Sequence, residues 1–269
     1  MNKELTIFSV YHRKFPVPEC DYIQPIQVGR VFTNLELGFI SDDIGENIAN
    51  KNKTYSELTA LFWIWKNIDK IESKWIGLCH YRRYFVLPKT RVIKKLFSSK
   101  LITDPRDSYN MEFNKSLLID ISSQQLKYKL IEALSAGKMV VPSQAYLSLE
   151  LKAEANIKMH YIYNHISEDW YLMQAAVLSL YPEYENSFNI FFERETKMHC
   201  YNMFIANKVI FDAYCTWLFT ILFELEKTVK LSEYEYQRRI FGFFSERLFN
   251  LYLFHNKLEK YEFPVLFFT

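Results

Sequence analysis

The apolar run WIGLC, at residues 75–79, continues directly into HYRRY, at residues 80–84. A short apolar run that ends in polar and basic residues is typical of a central strand whose carboxyl end carries functional side chains. Two guanidinium groups beside an imidazole can hold a diphosphate through charge-assisted hydrogen bonds. The alternative is that the arginines face solvent and form ordinary surface ion pairs. The apolar flanks on both sides favour the functional interpretation.

Strand and helix patterns alternate through the first half of the chain. Residues 5–11 (LTIFSVY) predict a buried first strand that ends at a polar turn over 12–14. Residues 54–57 (TYSE) have the S/T-x-x-E pattern of a capping box and predict the start of a helix. This alternation predicts an α/β core. Further predicted elements are a variable excursion with short helices over 88–137, strands at 138–142 and 202–206, and helices at 166–180, at 208 to about 229 and at 237 to about 256.

Composition excludes several classes of protein. The 269 residues are 49% hydrophobic with a net charge of +2, so the chain can form a full core and has no basic field for nucleic-acid binding. It has no G-x-G-x-x-G or P-loop motif, and its longest apolar run, 213–223, is shorter than the ~20 residues of a membrane span. The four cysteines lack C-x-x-C spacing and the amino terminus lacks a signal-peptide pattern. We therefore expect a cytoplasmic protein with reduced thiols.

Two acidic pairs are candidate binding or catalytic groups. Asp42 and Asp43 can ligate a hard cation, but the chain has no D-x-D motif, and a solvated turn is the alternative. Glu168 and Asp169 lie beside Trp170, a combination that suits a general base next to an aromatic platform. The alternative for this second pair is an acidic first helical turn.

Other polar residues have weaker patterns. Lys51 precedes the predicted helix, whose amino terminus favours anions, and is a candidate phosphate contact. Glu57 can contact a ribose hydroxyl, although the capping box already gives it a structural role. His160, His165 and His199 would need a further ligand to form a zinc site, which argues against metal-hydrolase chemistry.

Several motifs occur in a fixed order along the chain: DDxGxNI at 42–48, KNxxYxELT at 51–59, WxWKN at 63–67 and GLxHYRRYF at 77–85. Later segments are HY at 160–161, DW at 169–170, NMFI at 202–205 and FGFxSERL at 241–248. Together these segments resemble the domain-of-unknown-function 4422 family of bacterial capsular and exopolysaccharide glycosyltransferases. The resemblance covers nearly the whole chain except residues 88–137.

This resemblance implies a fold and a domain organisation. The implied fold is a glycosyltransferase-A-like α/β sandwich with a mixed central sheet flanked by helices and a helical C-terminal part. It forms one domain over 1–269, with a nucleotide-sugar half over about 1–142 and an acceptor-binding helical half over about 143–269. In many such enzymes a D-x-D motif binds a divalent cation, and here residues 80–83 occupy the comparable place. We therefore expect no metal cofactor, and manganese or magnesium is not favoured.

The implied function is transfer of a hexose, such as galactose in pyranose or furanose form, from a nucleotide diphosphate sugar. A UDP-sugar is the expected donor, and a growing surface polysaccharide, lipooligosaccharide or lipid-linked glycan is the expected acceptor. Asp169, together with Glu168, is the expected base. The residues expected to bind the donor are Tyr11, His12, Asp43, Asn47, Lys51, Asn52, Tyr55, Glu57, His80, Tyr81, Arg82 and Arg83. The residues expected to bind the acceptor are His160, His165, Trp170, His199 and Asn202.

Two alternatives to an enzyme stay open at this point. One is a non-catalytic carbohydrate-binding or assembly protein that uses tyrosine and tryptophan platforms, and the other is a nucleotide-binding regulator. The apolar tail FPVLFFT, at 263–269, also has two interpretations. With the basic residues of 89–95 it can attach weakly to the inner face of the cytoplasmic membrane, where a lipid-linked acceptor would lie. Alternatively, the tail packs into the core.

Overall fold

The computed structural model describes residues 3–88, 108–147 and 155–269. The strands are β1 (Leu5–Tyr11), β2 (Ile23–Gln27), β3 (Ile40–Ser41), β4 (Trp75–His80), β5 (Arg83–Phe85), β6 (Ser108–Met111), β7 (Met139–Pro142), β8 (Ala145–Tyr146), β9 (Lys197–Met198), β10 (Phe204–Asn207), β11 (Lys260–Phe263) and β12 (Val265–Phe268). The α-helices are α1 (Asn52–Tyr55), α2 (Leu58–Lys66), α3 (Lys115–Ile121), α4 (Gln124–Ser135), α5 (Ile157–Asn164), α6 (Ser167–Leu180), α7 (Glu185–Arg194), α8 (Lys208–Glu226), α9 (Glu235–Arg238) and α10 (Ile240–His255).

A mixed sheet of ten strands forms the centre of the described part of the chain, with the main order β11-β7-β10-β4-β1-β2-β3. The pairs of β1 with β2, β1 with β4 and β2 with β3 are parallel, whereas β10 pairs antiparallel with both β4 and β7. β5 and β12 extend the sheet beside β4, and β6 pairs with β12. The sheet thus combines strands from both predicted halves of the chain.

The central strands are buried on both faces, which explains their continuous apolar sequences. Every residue of β1 and of β4 is buried. Successive side chains of a strand point to opposite faces, so Leu5 and Ile7 join one core cluster while Phe8 and Val10 join the other. The cluster around Phe8 includes most of the buried side chains of α2, α8 and α10. The cluster around Ile7 includes buried side chains of α3 and α4, so helices cover both faces, and the predicted α/β sandwich is confirmed.

Gly77 allows two strands to approach closely in the middle of the sheet. A Cβ atom at this position would lie 2.7 Å from the Ile205 side chain and 2.7 Å from the Phe204 carbonyl oxygen of β10. Such distances are far shorter than van der Waals contact. The glycine of the WIGLC run is therefore required by packing against β10.

Most predicted elements agree with the structure to within a few residues. The first strand, the strand at 138–142 and the helix at 166–180 correspond to β1, β7 and α6. The last predicted helix is two helices, α9 and α10, with Arg239 between them. Of the excursion over 88–137, residues 89–107 lie outside the described ranges, and the remainder contains β6, α3 and α4.

The predicted capping box is wrong. Residues 54–57 do not begin one helix, because α1 ends at Tyr55 and Ser56 has a positive φ of 51° before α2 begins at Leu58. Neither helix has a side-chain cap. The side chain of Glu57 is consequently available for contacts elsewhere in the molecule.

The apolar tail packs into the core, so the interpretation of this segment as a membrane anchor is wrong. β12 pairs with β5 and β6, and the Phe263, Val265, Leu266 and Phe268 side chains are buried. The basic residues at 89–95 lie outside the described residues. None of the described helices is long and apolar enough to span a membrane.

Candidate active site

The carboxyl ends of four parallel strands meet at one edge of the sheet. β1 ends at Tyr11, β2 at Gln27, β3 at Ser41 and β4 at His80. In open α/β sheets, ligands bind in the crevice outside these carboxyl ends. The residues that follow β1 and β4 are therefore the first candidates for a binding site.

A hairpin after β4 positions the predicted arginines. His80 pairs with Arg83 across the turn formed by Tyr81 and Arg82. The Arg83 guanidinium lies between two aromatic rings, 4.9 Å from the Tyr201 centroid and 5.0 Å from the Phe267 centroid. Its Nε is buried and has no hydrogen-bond partner among the described residues. These two cation–π contacts restrict the guanidinium, and its Nε keeps an unused donor.

Further cations surround this hairpin. Arg13 and Arg82 each lie 5.3 Å from the ring centroid of the buried Tyr81, and Arg82 also lies 5.4 Å from that of Phe267. His12 packs edge-on against Tyr81 with 5.1 Å between ring centroids. Partial burial lowers the pKa of His12, and the nearby positive charges of Arg13, Arg239 and Arg82 lower it further. The resulting basic cluster can stabilise an anion of high charge density.

His80 is neutral and has a defined tautomer. Burial lowers its pKa to about 4, with the Arg83 charge acting in the same direction and Glu57 opposing it. Its Nε2 lies 2.5 Å from the carbonyl oxygen of Tyr201. Because a carbonyl only accepts, we assign the proton to Nε2, which leaves Nδ1 as an acceptor.

A strained two-residue turn connects these groups to the rest of the site. Tyr201 and Asn202, which precede β10, have positive φ angles of 78° and 51°. The Tyr201 N–H donates to Glu246 Oε1 at 2.8 Å, and Asn202 Nδ2 donates to Glu57 Oε1 at 2.7 Å. Residues held in such backbone conformations cluster at functional sites, because the surrounding contacts must offset the strain.

Glu57 lies at the edge of the basic cluster. Its side chain is 14% exposed, and its Oε2 lies 4.0 Å from Arg239 Nη2. Arg239 is anchored in turn by a 2.9 Å hydrogen bond from its Nε to Ser56 Oγ. The break between α1 and α2 thus places Ser56 and Glu57 side by side against the start of α10.

Helix α10 connects this cluster to a second group of predicted residues. Burial raises the pKa of Glu246, although Arg247 at 3.3 Å and the Tyr201 N–H favour its charged form. Arg247 is only 3% exposed, lies 5.3 Å from the Tyr161 ring centroid and is 3.3 Å from His160 Nδ1. Burial and the Arg247 charge lower the pKa of His160 to about 4. The nitrogen facing Arg247 is therefore an acceptor.

The predicted catalytic pair lies further along this second group. Burial, followed by repulsion from Glu168, raises the pKa of the buried Asp169 to about 6. Asp169 has no hydrogen bond or ion pair to the Arg83 cluster within the described part of the chain. Glu168 accepts a 3.0 Å hydrogen bond from Ser167. Trp170 is 0% exposed and packs against Phe192, so its prediction as an acceptor platform is wrong.

His165 is better placed for a ligand than Trp170. Its ring stacks on Phe243, with 4.1 Å between centroids, and its Nδ1 lies 3.2 Å from Gln237 Oε1. Burial lowers its pKa to about 4, and the Arg247 charge contributes in the same direction. His165 therefore packs against the start of α10, the helix that Arg239 directly precedes.

Two predicted nucleotide contacts are fully buried, and the structure contradicts that role for both. The Tyr11 hydroxyl lies 2.8 Å from that of Tyr84, and the Tyr11 side chain is inaccessible. Tyr55 stacks on Phe241 with 4.3 Å between ring centroids and is equally inaccessible. Their size and apolar surface serve the core.

Five other predicted residues make structural contacts outside the cluster. Lys51 pairs with Glu226 at the end of α8. Asn52 donates to the Ser56 carbonyl at 2.8 Å. The structure places the others as follows: Asp43 forms a bidentate pair with Arg30, Asn47 accepts from the Ala49 N–H, and His199 contacts the Pro142 carbonyl and Asn250.

The adjacent acids do not fit a cation site. Both Asp43 oxygens accept from Arg30, and Asp42 is fully buried with neither oxygen hydrogen-bonded to a described residue. Burial raises the pKa of Asp42 to about 6. Across the described ranges, no three His, Cys, Asp or Glu side chains are grouped so as to hold a metal ion. Metal independence stays a prediction.

Comparison with known proteins shows the family of this chain. The family model described as a domain of unknown function (DUF4422) matches residues 6–257. The chain belongs to the DUF4422 family. No curated protein matches it. A solved structure described as the WbbM bifunctional glycosyltransferase in its apo form is 27% identical, with a TM-score of 0.84. The match covers 99% of this chain and 46% of that one, so the chain spans less than half the length of WbbM.

Four residues of the site have no predicted role, and they lie within or next to two of the sequence motifs. Glu246 and Arg247 belong to FGFxSERL at 241–248, and Arg239 precedes that motif. Tyr201 precedes the NMFI segment. Of the predicted residues, the structure brings together His12, His80, Tyr81, Arg82, Arg83, Glu57 and Asn202. The sequence of α10 does indicate Glu246 and Arg247, because polar side chains interrupt an otherwise apolar helix there.

Proposed function

We propose that this chain is a glycosyltransferase that transfers a hexose from a nucleotide diphosphate sugar. The observation that carries the proposal is the Arg83 guanidinium, which lies within 5.0 Å of the Tyr201 and Phe267 ring centroids at the carboxyl end of the parallel strands. Membership of DUF4422 and the similarity to the WbbM bifunctional glycosyltransferase support the reaction class.

The basic cluster suits the leaving group of such a reaction. When the bond between the sugar and the diphosphate breaks, negative charge develops on the diphosphate oxygens. Arg83 and Arg82 donate charge-assisted hydrogen bonds to these oxygens, and Arg239 and His12 lie at the rim. Because the two cation–π contacts already restrict the Arg83 guanidinium, little reorganisation is needed as the charge develops.

A UDP-sugar is the proposed donor, with galactose in either ring form as the transferred hexose. The proposed acceptor is a growing surface polysaccharide or lipooligosaccharide. The acceptor approaches over the start of α10, where His165 and Phe243 form a stacked aromatic pair. A lipid-linked acceptor would place the protein at the cytoplasmic face of the membrane.

A donor panel tests the proposal. Thermal shift with UDP-galactose, UDP-glucose, UDP-N-acetylglucosamine and UDP identifies ligands that bind the folded chain, because binding raises its stability. Release of UDP from the stabilising sugar is then followed over time. Slow release of UDP supports a transferase, whereas sugar binding without release supports a lectin-like protein. Binding of UDP alone would indicate a regulator.

A further inference from the structure

The carboxylate of Glu57 has the environment of a proton acceptor. Sequence patterns favoured a helix cap or a ribose contact for this residue, but the left-handed Ser56 ends α1 and no capping hydrogen bond forms. We propose that Glu57 is the catalytic base that takes the proton from the acceptor hydroxyl. This inference rests on the proposed transferase function and assigns one residue within it.

The two oxygens of Glu57 are unequal, and one of them is available to a ligand. Oε1 accepts the 2.7 Å hydrogen bond from Asn202 Nδ2, which fixes the carboxylate. Oε2 has only the 4.0 Å ion pair with Arg239, a distance beyond a hydrogen bond, within the described residues. With 14% of its side chain exposed, Glu57 is not closed off from solvent.

The turn before β10 holds this carboxylate beside the proposed leaving-group site. Asn202 donates to Glu57, while the ring of its neighbour Tyr201 stacks on Arg83 at 4.9 Å and the Tyr201 carbonyl accepts from His80. Glu57 and Arg83 therefore contact adjacent residues of one strained turn. A base and a diphosphate-binding cation are needed on opposite sides of the same anomeric carbon.

The other titratable groups nearby are less suitable. Asp169 lies in the second group, and the described part of the chain shows no hydrogen bond or ion pair from it to the turn. Glu246 has both oxygens engaged, by the Tyr201 N–H and by Arg247. His80 is buried, and its protonated nitrogen is bound to a carbonyl. Glu57 combines a fixed orientation with an oxygen that makes no hydrogen bond to a described residue.

The proposed step balances as a single displacement. The acceptor oxygen forms a bond to the anomeric carbon as its proton moves to Glu57 Oε2. The bond from that carbon to the diphosphate oxygen breaks, and its electron pair leaves with the diphosphate beside Arg83. A single displacement inverts the anomeric configuration. With UDP-galactose, an α-linked donor, and water as acceptor, the first product is β-galactose.

The test uses the full chain with UDP-galactose as the probe and water as the acceptor. Glu57→Gln preserves shape and the hydrogen bond from Asn202 but cannot take a proton. We expect it to keep UDP affinity within about twofold and to lower turnover by about 10²- to 10⁴-fold, the range of general-base catalysis. Glu57→Asp, which keeps a carboxylate, should recover part of the rate.

Controls separate this inference from the proposed function. Glu132→Gln, at an exposed carboxylate on α4, should leave turnover unchanged. Asp169→Asn tests the rival base and should change turnover by less than tenfold. The inference fails if Glu57→Gln keeps its rate, if it weakens UDP binding tenfold or more, or if NMR shows α-galactose as the first product. Absence of UDP and UDP-galactose binding to the wild-type chain would instead overturn the transferase proposal, and this inference with it.

Discussion

Replacing Arg83 with alanine tests whether the hairpin after β4 binds a diphosphate. The guanidinium is held between the Tyr201 and Phe267 rings, at 4.9 and 5.0 Å, and its buried Nε lacks a partner among the described residues. Removing a buried N–H that is already unpaired leaves no new unsatisfied group in the protein. The free chain should therefore stay folded, and the loss should be confined to binding.

The expected loss of UDP affinity in Arg83→Ala follows from the type of hydrogen bond that is removed. A hydrogen bond to a charged group contributes about 1.5–3 kcal/mol. Arg83 is half-buried and ordered by stacking, so it loses little rotamer freedom on binding, and about 2 kcal/mol is expected. Since 1.4 kcal/mol is a factor of ten, the Kd for UDP should rise by about 30-fold. Arg83→Lys keeps the charge but loses the planar fork, and its Kd should lie between those of wild type and Arg83→Ala.

Isothermal titration calorimetry with UDP measures this change directly. Arg30→Ala is the matched control, because Arg30 is engaged by Asp43 outside the basic cluster. A wild-type Kd for Arg83→Ala would refute the diphosphate assignment. So would an equal loss in Arg30→Ala, because the effect would then reflect net charge and not the stacked guanidinium.

Three further predictions concern stability and cofactors. Gly77→Ala should lower the free energy of unfolding by about 1–3 kcal/mol in urea titrations, because its Cβ would meet Ile205 at 2.7 Å. Burial raises the pKa of Asp42 from 3.8 to about 6, so the folded state binds the proton more tightly, and stability should fall as pH rises from about 4 to 6. Asp42→Asn should make this decrease smaller when unfolding is measured across that range. Release of UDP from the donor should persist in excess EDTA, since the arginines can compensate the diphosphate charge.

The sheet could be predicted from sequence because the local residue pattern of a strand indicates whether it is buried. Residues 5–11 and 75–79 are continuously apolar or β-branched, and both form strands buried on two faces. The need for glycine at position 77 could not be predicted, because the sequence does not show which strand packs against it. The strand that excludes a side chain at Gly77 is β10, which lies more than 120 residues later in the chain.

The site could be predicted only in part, because residue type does not distinguish a ligand contact from a core contact. Tyr11 and Trp170 have the composition of binding platforms, yet both are inaccessible. Residues 54–57 satisfy the capping pattern, but Asn202, 145 residues away, binds the Glu57 carboxylate instead. Tertiary contacts of this kind outweigh a cap, which is worth only about 1 kcal/mol.

Helix α10 shows which sequence signal identifies such a site. Its sequence, IFGFFSERLFNLYLFH, is apolar apart from a few residues, and Ser245, Arg247 and Asn250 are all buried within it. Burying an arginine or an amide in an apolar helix is unfavourable unless partners satisfy it. Arg247 donates to Glu246 and to the Phe243 carbonyl and lies 3.3 Å from His160 Nδ1, while its Nε has no partner among the described residues. Glu246 in turn accepts from the Tyr201 N–H of the strained turn beside Arg83. Polar residues on the buried face of an apolar helix therefore identify this region more directly than its tyrosines do.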